Sequence, residues 1–532
     1  MALLTEERIN KFGLPVILLL ALALRLTNLT YTSLWQDEIY SLMVATMHNT
    51  IPVVLDTAVH PASWYLQSTA WQPIDFWKLI EILKDNVHMP LYFVLLNPWL
   101  KIFGVSAWGL RSFSVLCSVL MLPFLYWLSR DMFNERVALW ATFIAAVAPF
   151  QIYYAQEGRM YALVTLWAVI STWCFWKVLF AEKPAKWSVC YAVSVVLGVL
   201  THYIFVFFLG FHAVAGVFLY PKIMLKQKRG LWFLIAMVLT GLIGLWWYPV
   251  YHAQKLAVDE GYQFAKGAIS LLQAASAPGW QMFVSAAGNN EIIRVFYSAF
   301  MLFGVVFGSY YLILKFKRHG LLVKRPKLGK MFGNWLCFAW IFIPALLMAF
   351  YDVVHQTHMS LVDRYSVLIA PAVYISLAFA LVRWGRIFRL HKIVVGVWTL
   401  MLLLAIGNVW VPSPLRDEHN KKDIREKMEY MVRHAGPNDL ILATGVSGAP
   451  ILGAYYLQDV KPGQPMMYWE KTLRGKEYPL PDVVMLRRYK TIWVLKVRAI
   501  EERGGEDLDN MLRGNFPHNQ HTEHWDIYST GS

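Results

Sequence analysis

What most constrains this chain is a series of apolar runs, each long enough to approach or cross roughly 30 Å of hydrocarbon at about 1.5 Å per residue. They lie at about 12 to 29, 107 to 128, 137 to 151, 160 to 180, 188 to 202, 203 to 220, 231 to 251, 292 to 314, 332 to 351, 365 to 382 and 393 to 411, about eleven in all. A backbone in lipid must satisfy its own hydrogen bonds, so the expected fold class is a polytopic α-helical membrane protein. Composition agrees, because 57% of the 532 residues are hydrophobic and only 16% are charged. The net charge of +15 does not mark a nucleic-acid face, since the cations sit in short loops between apolar runs. Lys222, Lys226, Lys228 and Arg229 fill one such loop. A second holds Lys315, Lys317, Arg318, Lys324, Arg325, Lys327 and Lys330, and a third Arg383, Arg386, Arg389 and Lys392. With eleven spans all three fall on the side of Arg8 and Lys11, which the positive-inside rule makes cytoplasmic.

The remaining segments follow from this frame. Arg8 and Lys11 ahead of an apolar run resemble a signal peptide, but the Ala21-Leu22-Ala23 pattern is embedded in the run, so an uncleaved first span is expected. Pro90 to Gly104 is apolar yet short, with Pro98 and Lys101 inside it, and reads as an interfacial helix. Residues 30–106 then form one large outer loop, and its Trp35, Trp64, Trp71, Trp77 and Trp99 suit an aromatic belt. Residues 252–291 form a second long outer loop, within a transmembrane module of 1–411. After Val411 charged residues become frequent, and 412–532 reads as a small extracytoplasmic α/β domain. A helix is expected over Asp417 to His434, with strands at about 439 to 444, 491 to 498 and 525 to 529. Gly445-Val446-Ser447-Gly448 lacks the spacing of a nucleotide loop. The four cysteines lie in apolar runs and have neither metal-site nor disulfide spacing.

Polar groups collect on the outer side. Asp37 and Glu38 follow the first span, Gln156-Glu157-Gly158-Arg159 follows the third, and Thr201-His202-Tyr203 and Asp363-Arg364-Tyr365 sit at later span ends. Carboxylates beside a span are costly to desolvate and mark a candidate site. The bland alternative makes Asp37 a helix N-cap, although Tyr40 three residues on gives that cap no capping box.

The order of these motifs resembles a known family. Asp37-Glu38, then His88-Met89-Pro90-Leu91-Tyr92, Phe103-Gly104, Leu110-Arg111 and Tyr154-Ala155-Gln156-Glu157-Gly158-Arg159-Met160-Tyr161 resemble the GT-C membrane glycosyltransferases, over roughly residues 1–410. Within that family it resembles bacterial relatives of the protein O-mannosyltransferases and of the lipid A aminoarabinose transferase. The resemblance implies a polyprenyl-phosphate-linked sugar donor, transfer on the outer face of the cell (inner) membrane, and an outer-loop Asp as base. It also implies that Arg111 sits close to the acidic pair. The acceptor, whether glycan, lipid or protein, is not encoded.

Attack on an anomeric carbon at neutral pH needs a positioned base, and a departing polyprenyl phosphate needs cations. Asp37 and Glu38 are therefore the catalytic candidates, with Glu38 positioning Asp37 or the acceptor, and Arg111, Arg159 and Arg364 the phosphate ligands. Alternatively, these arginines pair with Glu38, Glu157 or Asp363 only to satisfy buried charge. His88, Tyr92, Tyr154, Glu157, His202, Tyr203, Asp363 and Tyr365 complete the substrate-binding candidates. A divalent ion is left open, with Asp37, His88, Glu157 and His202 as candidate ligands. The aminoarabinose transferase has an acid two residues before the Pro of its loop, where this chain has His88. The rival reading is a transporter or flippase of a lipid-linked saccharide, disfavoured because the polar groups gather at one face and no duplicated halves are visible.

Overall fold

The computed structural model of the chain describes residues 6–49, 56–219, 224, 228–259, 329–387, 423–445, 448–473, 476–496, 505–522 and 525–529. In chain order these form α1 (Glu6–Leu26), α2 (Gln36–Ala45), β1 (His60–Pro61), α3 (Ala62–Leu66), α4 (Phe76–Lys84), α5 (Leu91–Phe103), α6 (Ala107–Met132), α7 (Glu135–Val147) and α8 (Pro149–Ala155). There follow α9 (Tyr161–Phe180), α10 (Pro184–Thr201), α11 (Phe205–Val214), α12 (Arg229–Asp259), α13 (Gly329–His355) and α14 (Ala370–Ile387). The last part holds α15 (Asp423–His434), β2 (Leu440–Thr444), α16 (Ala449–Leu457), β3 (Pro465–Tyr468), β4 (Thr472–Leu473), β5 (Lys476–Glu477), α17 (Val483–Leu486), β6 (Thr491–Lys496), α18 (Gly505–Asn515), β7 (His518–His521) and β8 (Asp526–Ser529).

The chain divides into two compact units. The first comprises Met1–Asn28, Ser112–Tyr248 and Phe264–Pro414, the second Leu29–Arg111, Pro249–Gln263 and Leu415–Ser532.

Among the described residues five helices are long and apolar enough to cross a membrane: Ala107–Met132, Tyr161–Phe180, Pro184–Thr201, Arg229–Leu256 and Phe332–His355. A bent pair, α7 with α8, makes a sixth candidate. The expected spans at 12 to 29, 203 to 220 and 365 to 382 are shorter apolar helices, Phe12–Leu26, Phe205–Val217 and Ala370–Arg383. Those at 292 to 314 and 393 to 411 lie outside the described residues, as does most of the loop expected at 252–291. The start of that loop is corrected, because α12 continues through Asp259.

The expected span at 137 to 151 is not one straight helix. It bends by 60° after Val147, where Ala148 takes an extended conformation (ψ 122°) as the residue before a proline favours. Pro149 has no N–H, so it leaves the Ala145 carbonyl without its intrahelical donor. Arg25 of α1 supplies the replacement, donating to the carbonyls of Ala145 (3.1 Å) and Ala146 (2.8 Å) and to Ser118 Oγ (3.0 Å). Gln156 in turn donates to the carbonyls of Arg25 (3.0 Å) and Thr27 (2.8 Å), closing the end of α1.

In the second unit a six-stranded mixed sheet has the order β1-β3-β2-β6-β8-β7. β2 runs parallel to β3 and β6, while β8 pairs antiparallel with β6 and β7. Leu508 and Leu512 of α18, with Phe516 just past its end, are spaced by four and meet Leu440, Leu442, Ile492 and Val494 in one buried cluster. Ile424, Met428 and Met431 of α15 are buried at helical spacing as well. The edge strand β1 comes from the first loop: His60–Pro61 pair with β3, and Ala62 N and Ser63 N donate to Gln464 O and Pro462 O. Packing therefore groups residues 29–111 with the chain after 415, whereas the sequence reading placed that loop with the membrane module. Backbone pairing through two residues carries no periodic side-chain signal, which is why the sequence hid it.

Only part of the expected aromatic belt faces outward. Trp77 is exposed, but Trp35 is buried, Trp64 stacks on His60 at 3.9 Å, and the indoles of Trp71 and Trp99 donate to the carbonyls of Asn97 and Gly109.

Candidate functional site

The second unit holds the acidic pair. α2 begins at Gln36 with Trp35 as N-cap, so Asp37 is not the cap and both carboxylates lie in the first turn, where the helix dipole favours them. Glu38 reaches back to Trp35 N at 3.4 Å. Its side chain is fully buried and meets Arg111, also buried, through two contacts: Nε to Oε1 at 2.8 Å and Nη2 to Oε2 at 2.7 Å. The other three N–H donors of Arg111 go to the carbonyls of Leu29, Thr32 and Ser33, each at 2.9 Å. A guanidinium has five donors. All five of Arg111 are committed within this unit, and none is left for a ligand phosphate. Asp37, beside this lock, is partly exposed.

The loop before Arg111 is built by glycine. Gly104 ends α5 with φ +85°, and a Cβ on Gly109 would lie 2.1 Å from the Gly104 carbonyl oxygen. Only a residue without a side chain lets α6 start so close to the end of α5. His88 is half-buried, its carbonyl accepting from Gln254 Nε2 at 3.0 Å, while Tyr92 is buried against Phe93, ring centroids 5.5 Å apart.

The first unit holds the other candidates. Glu157 and Arg159 are buried in the turn between α8 and α9, with Arg159 N donating to Glu157 O and Ser114 Oγ to Arg159 O. His202 lies just past α10, its ring 5.9 Å from Tyr161 and 5.7 Å from Tyr365. A Cβ on Gly198 would enter the Phe205 ring at 2.3 Å, so glycine permits the close α10–α11 hairpin that presents His202. Its Nδ1 accepts from Ile204 N at 3.2 Å. Burial first, then the cations of Arg159 and Arg364, lower its pKa from 6.5 to about 3. The imidazole is therefore neutral at physiological pH, with its Nε2 carrying the proton.

Tyr203 accepts from Trp247 Nε1 at 2.7 Å. Tyr154 lies 5.6 Å from Tyr161 and within electrostatic reach of Glu157, Asp363 and Arg364. Asp363, Arg364 and Tyr365 open a 3-10 helix, Asp363–Leu368, and all three are partly exposed. The turn before it is tied by the buried Asp352, which accepts from Thr357 Oγ1 (2.6 Å), Met359 N (2.9 Å) and Ser360 N (2.7 Å). Arg25, Gln254 and Asp352 escaped the sequence reading, and Gln156 was seen there only as part of its motif. Two signals were present: an ionisable side chain embedded in an apolar run at Arg25, and another directly at the end of one at Asp352.

Among the described residues no three His, Cys, Asp or Glu side chains form a group that could hold a metal ion.

Residues 87–248 match the sequence profile of the family described as dolichyl-phosphate-mannose-protein mannosyltransferase. No curated protein matches the chain significantly by sequence. The fold is similar to that of ArnT from Cupriavidus metallidurans bound to undecaprenyl phosphate, with TM-score 0.58 and 12% identity over 100% of this chain and 99% of that one. It is similar also to the apo state of that protein, with TM-score 0.57 and 13% identity over 98% and 97% of the two chains. A more partial likeness links it to the Archaeoglobus fulgidus oligosaccharyltransferase, TM-score 0.44 and 13% identity over 84% of this chain and 61% of that one. Over residues 87–248 the chain is thus similar in sequence to the mannosyltransferase family, and along its whole length it shares the fold of ArnT.

Proposed function

We propose that the chain transfers a sugar from a polyprenyl-phosphate-linked donor to a hydroxyl acceptor on the extracytoplasmic face of the cell membrane. Asp37 accepts the acceptor's proton, and the acceptor oxygen forms a bond to the anomeric carbon. The bond from that carbon to the phosphate oxygen breaks, its electron pair leaves with the polyprenyl phosphate, and the single displacement inverts the centre. Arg159 and Arg364 serve the leaving phosphate through charge-assisted hydrogen bonds. Glu38 and Arg111 hold Asp37 in place rather than touching substrate, and no step is routed through a metal ion. His202, Tyr154, Tyr203, Tyr365, His88 and Tyr92 bind substrate, and Glu157 and Asp363 balance the arginines.

The observation that carries this reading is the contrast between neighbours at the head of α2: Glu38 wholly buried and locked on Arg111, Asp37 beside it partly exposed. A carboxylate so placed can take up a proton; one saturated by guanidinium cannot. The ArnT structure with undecaprenyl phosphate supports the donor class. With about eleven crossings, as expected from the sequence, the N-terminus would lie in the cytoplasm and residues 412–532 outside, which reporter fusions at the two termini would test.

The function is tested with the full-length protein in lipid bilayers, offered undecaprenyl phosphate carrying mannose, glucose, galactose or aminoarabinose together with cell-envelope extract. Release of free undecaprenyl phosphate coupled to sugar transfer is expected. Movement of intact donor across the bilayer without that release fits the flippase instead and removes the proposal.

A further inference from the structure

The segment from Leu29 to Trp35 has no regular structure before α2, and much of it is buried, so its polar backbone groups need partners. The carbonyls of Leu29, Thr32 and Ser33 receive Arg111, and Trp35 N reaches Glu38. The N–H of Leu34, a fully buried residue, goes to the hydroxyl of Tyr456 on α16 at 2.8 Å. One position earlier on α16, the hydroxyl of Tyr455 accepts from Ala107 N at 2.9 Å. Ala107 opens α6, where a first-turn N–H has no intrahelical acceptor. Two consecutive phenols of one helix thus fasten two separate stretches: the one that enters α2 three residues before Asp37, and the one that opens α6 four residues before Arg111. Nearby, Arg425 N donates to Ser33 Oγ at 3.0 Å, and Gly448 packs against Gln36 and Tyr40. Burial raises both phenol pKa values, that of Tyr456 to about 12, so each keeps its proton while accepting from a backbone N–H.

We propose that Tyr455 and Tyr456 are positioning residues for the proton-accepting carboxylate: α16 sets the placement of Asp37 by fixing the two chain segments whose side chains form the Glu38–Arg111 lock. This rests on the assignment of Asp37 as base. It gives the chain after 415 a part in the reaction centre itself. The physical ground is that a phenylalanine keeps the ring volume but removes the acceptor, leaving a buried N–H unpaired. The segment shifts to recover a partner, and small misplacements of a reacting group cost rate steeply.

The test uses the full-length protein in lipid bilayers, as wild type, Tyr455→Phe, Tyr456→Phe and the double variant. Hydrogen exchange is followed in peptides covering 30–45 and 104–112, and turnover with the undecaprenyl-phosphate sugars above. In the double variant, exchange of those peptides is expected to rise about ten-fold while β2 and β6 stay protected, and kcat to fall at least about ten-fold with KM for the donor within about two-fold. Unchanged local exchange or unchanged kcat in the double variant overturns the proposal. So does a uniform rise across 440–529, which means that the hydroxyls only hold the sheet together. Failure of the base assignment reads differently: Asp37→Asn then turns over normally while local exchange in the tyrosine variants still rises. Exchange needs no donor, so it decides the positioning claim even where no sugar in the panel is transferred.

Discussion

The two clusters of functional candidates solve opposite problems. In the second unit Glu38 and Arg111 form a closed network, with both carboxylate oxygens and all five guanidinium donors paired inside the protein. In the first, Arg159 and Arg364 act together on an aromatic-flanked imidazole that burial and their own charge keep neutral. The same residue type serves as a fastener in one place and as a source of positive field in the other. Burial and donor count, not residue identity, set Arg111 apart: its five donors are all paired inside the protein, whereas Arg364 is partly exposed.

Breaking the fastener gives the largest expected effect. Arg111→Ala leaves Glu38 a buried charge without its partner, which costs about 3–5 kcal/mol of stability. Thermal unfolding in lipid or detergent should show it as lost yield or a strongly lowered Tm, and a variant as stable as wild type removes the lock. Arg364→Ala should act on binding instead. Loss of a charge-assisted hydrogen bond of about 1.5–3 kcal/mol raises KM for a polyprenyl-phosphate donor by roughly 10- to 100-fold, while Tm moves little. If Tm collapses and KM does not change, Arg364 is a structural partner like Arg111.

The smallest effect is on pH dependence. The pKa of His202 is depressed in the folded state, so the unfolded state binds more protons between about 3 and 6.5. The stabilisation is complete above 6.5 and is lost as pH falls through that window, by at most about 1.4 kcal/mol per unit. Denaturation midpoints measured from pH 7.5 to 5 should fall more steeply for wild type than for His202→Gln, and parallel slopes contradict the neutral, buried imidazole.

How much of this was legible follows from which groups make the contacts. The Asp37-Glu38 doublet and the span-end clusters at Glu157, His202 and Asp363 are side-chain features that order and spacing revealed, while Arg111 as the doublet's neighbour came from the family resemblance. That Arg111 is saturated was hidden, because three of its partners are backbone carbonyls of an irregular segment that any residues could supply. Tyr455 and Tyr456 were hidden for the same reason, since their partners are the N–H groups of Leu34 and Ala107. The break at Ala148 was available in the sequence: Pro149 cannot sit in a helix interior at no cost, and Arg25 in an apolar run signalled that something there needed donors. β1 gave no warning, because two residues are too few for alternation to show.

Asp37→Asn tests the central claim most directly, with release of undecaprenyl phosphate measured beside hydrogen exchange on the full-length protein in bilayers. Removing a general base while keeping its shape should lower turnover by about 10²- to 10⁴-fold, leaving donor binding and exchange around α2 as in wild type. Turnover equal to wild type contradicts the assignment of Asp37 and, with it, the division of labour between the partly exposed carboxylate and its locked neighbour.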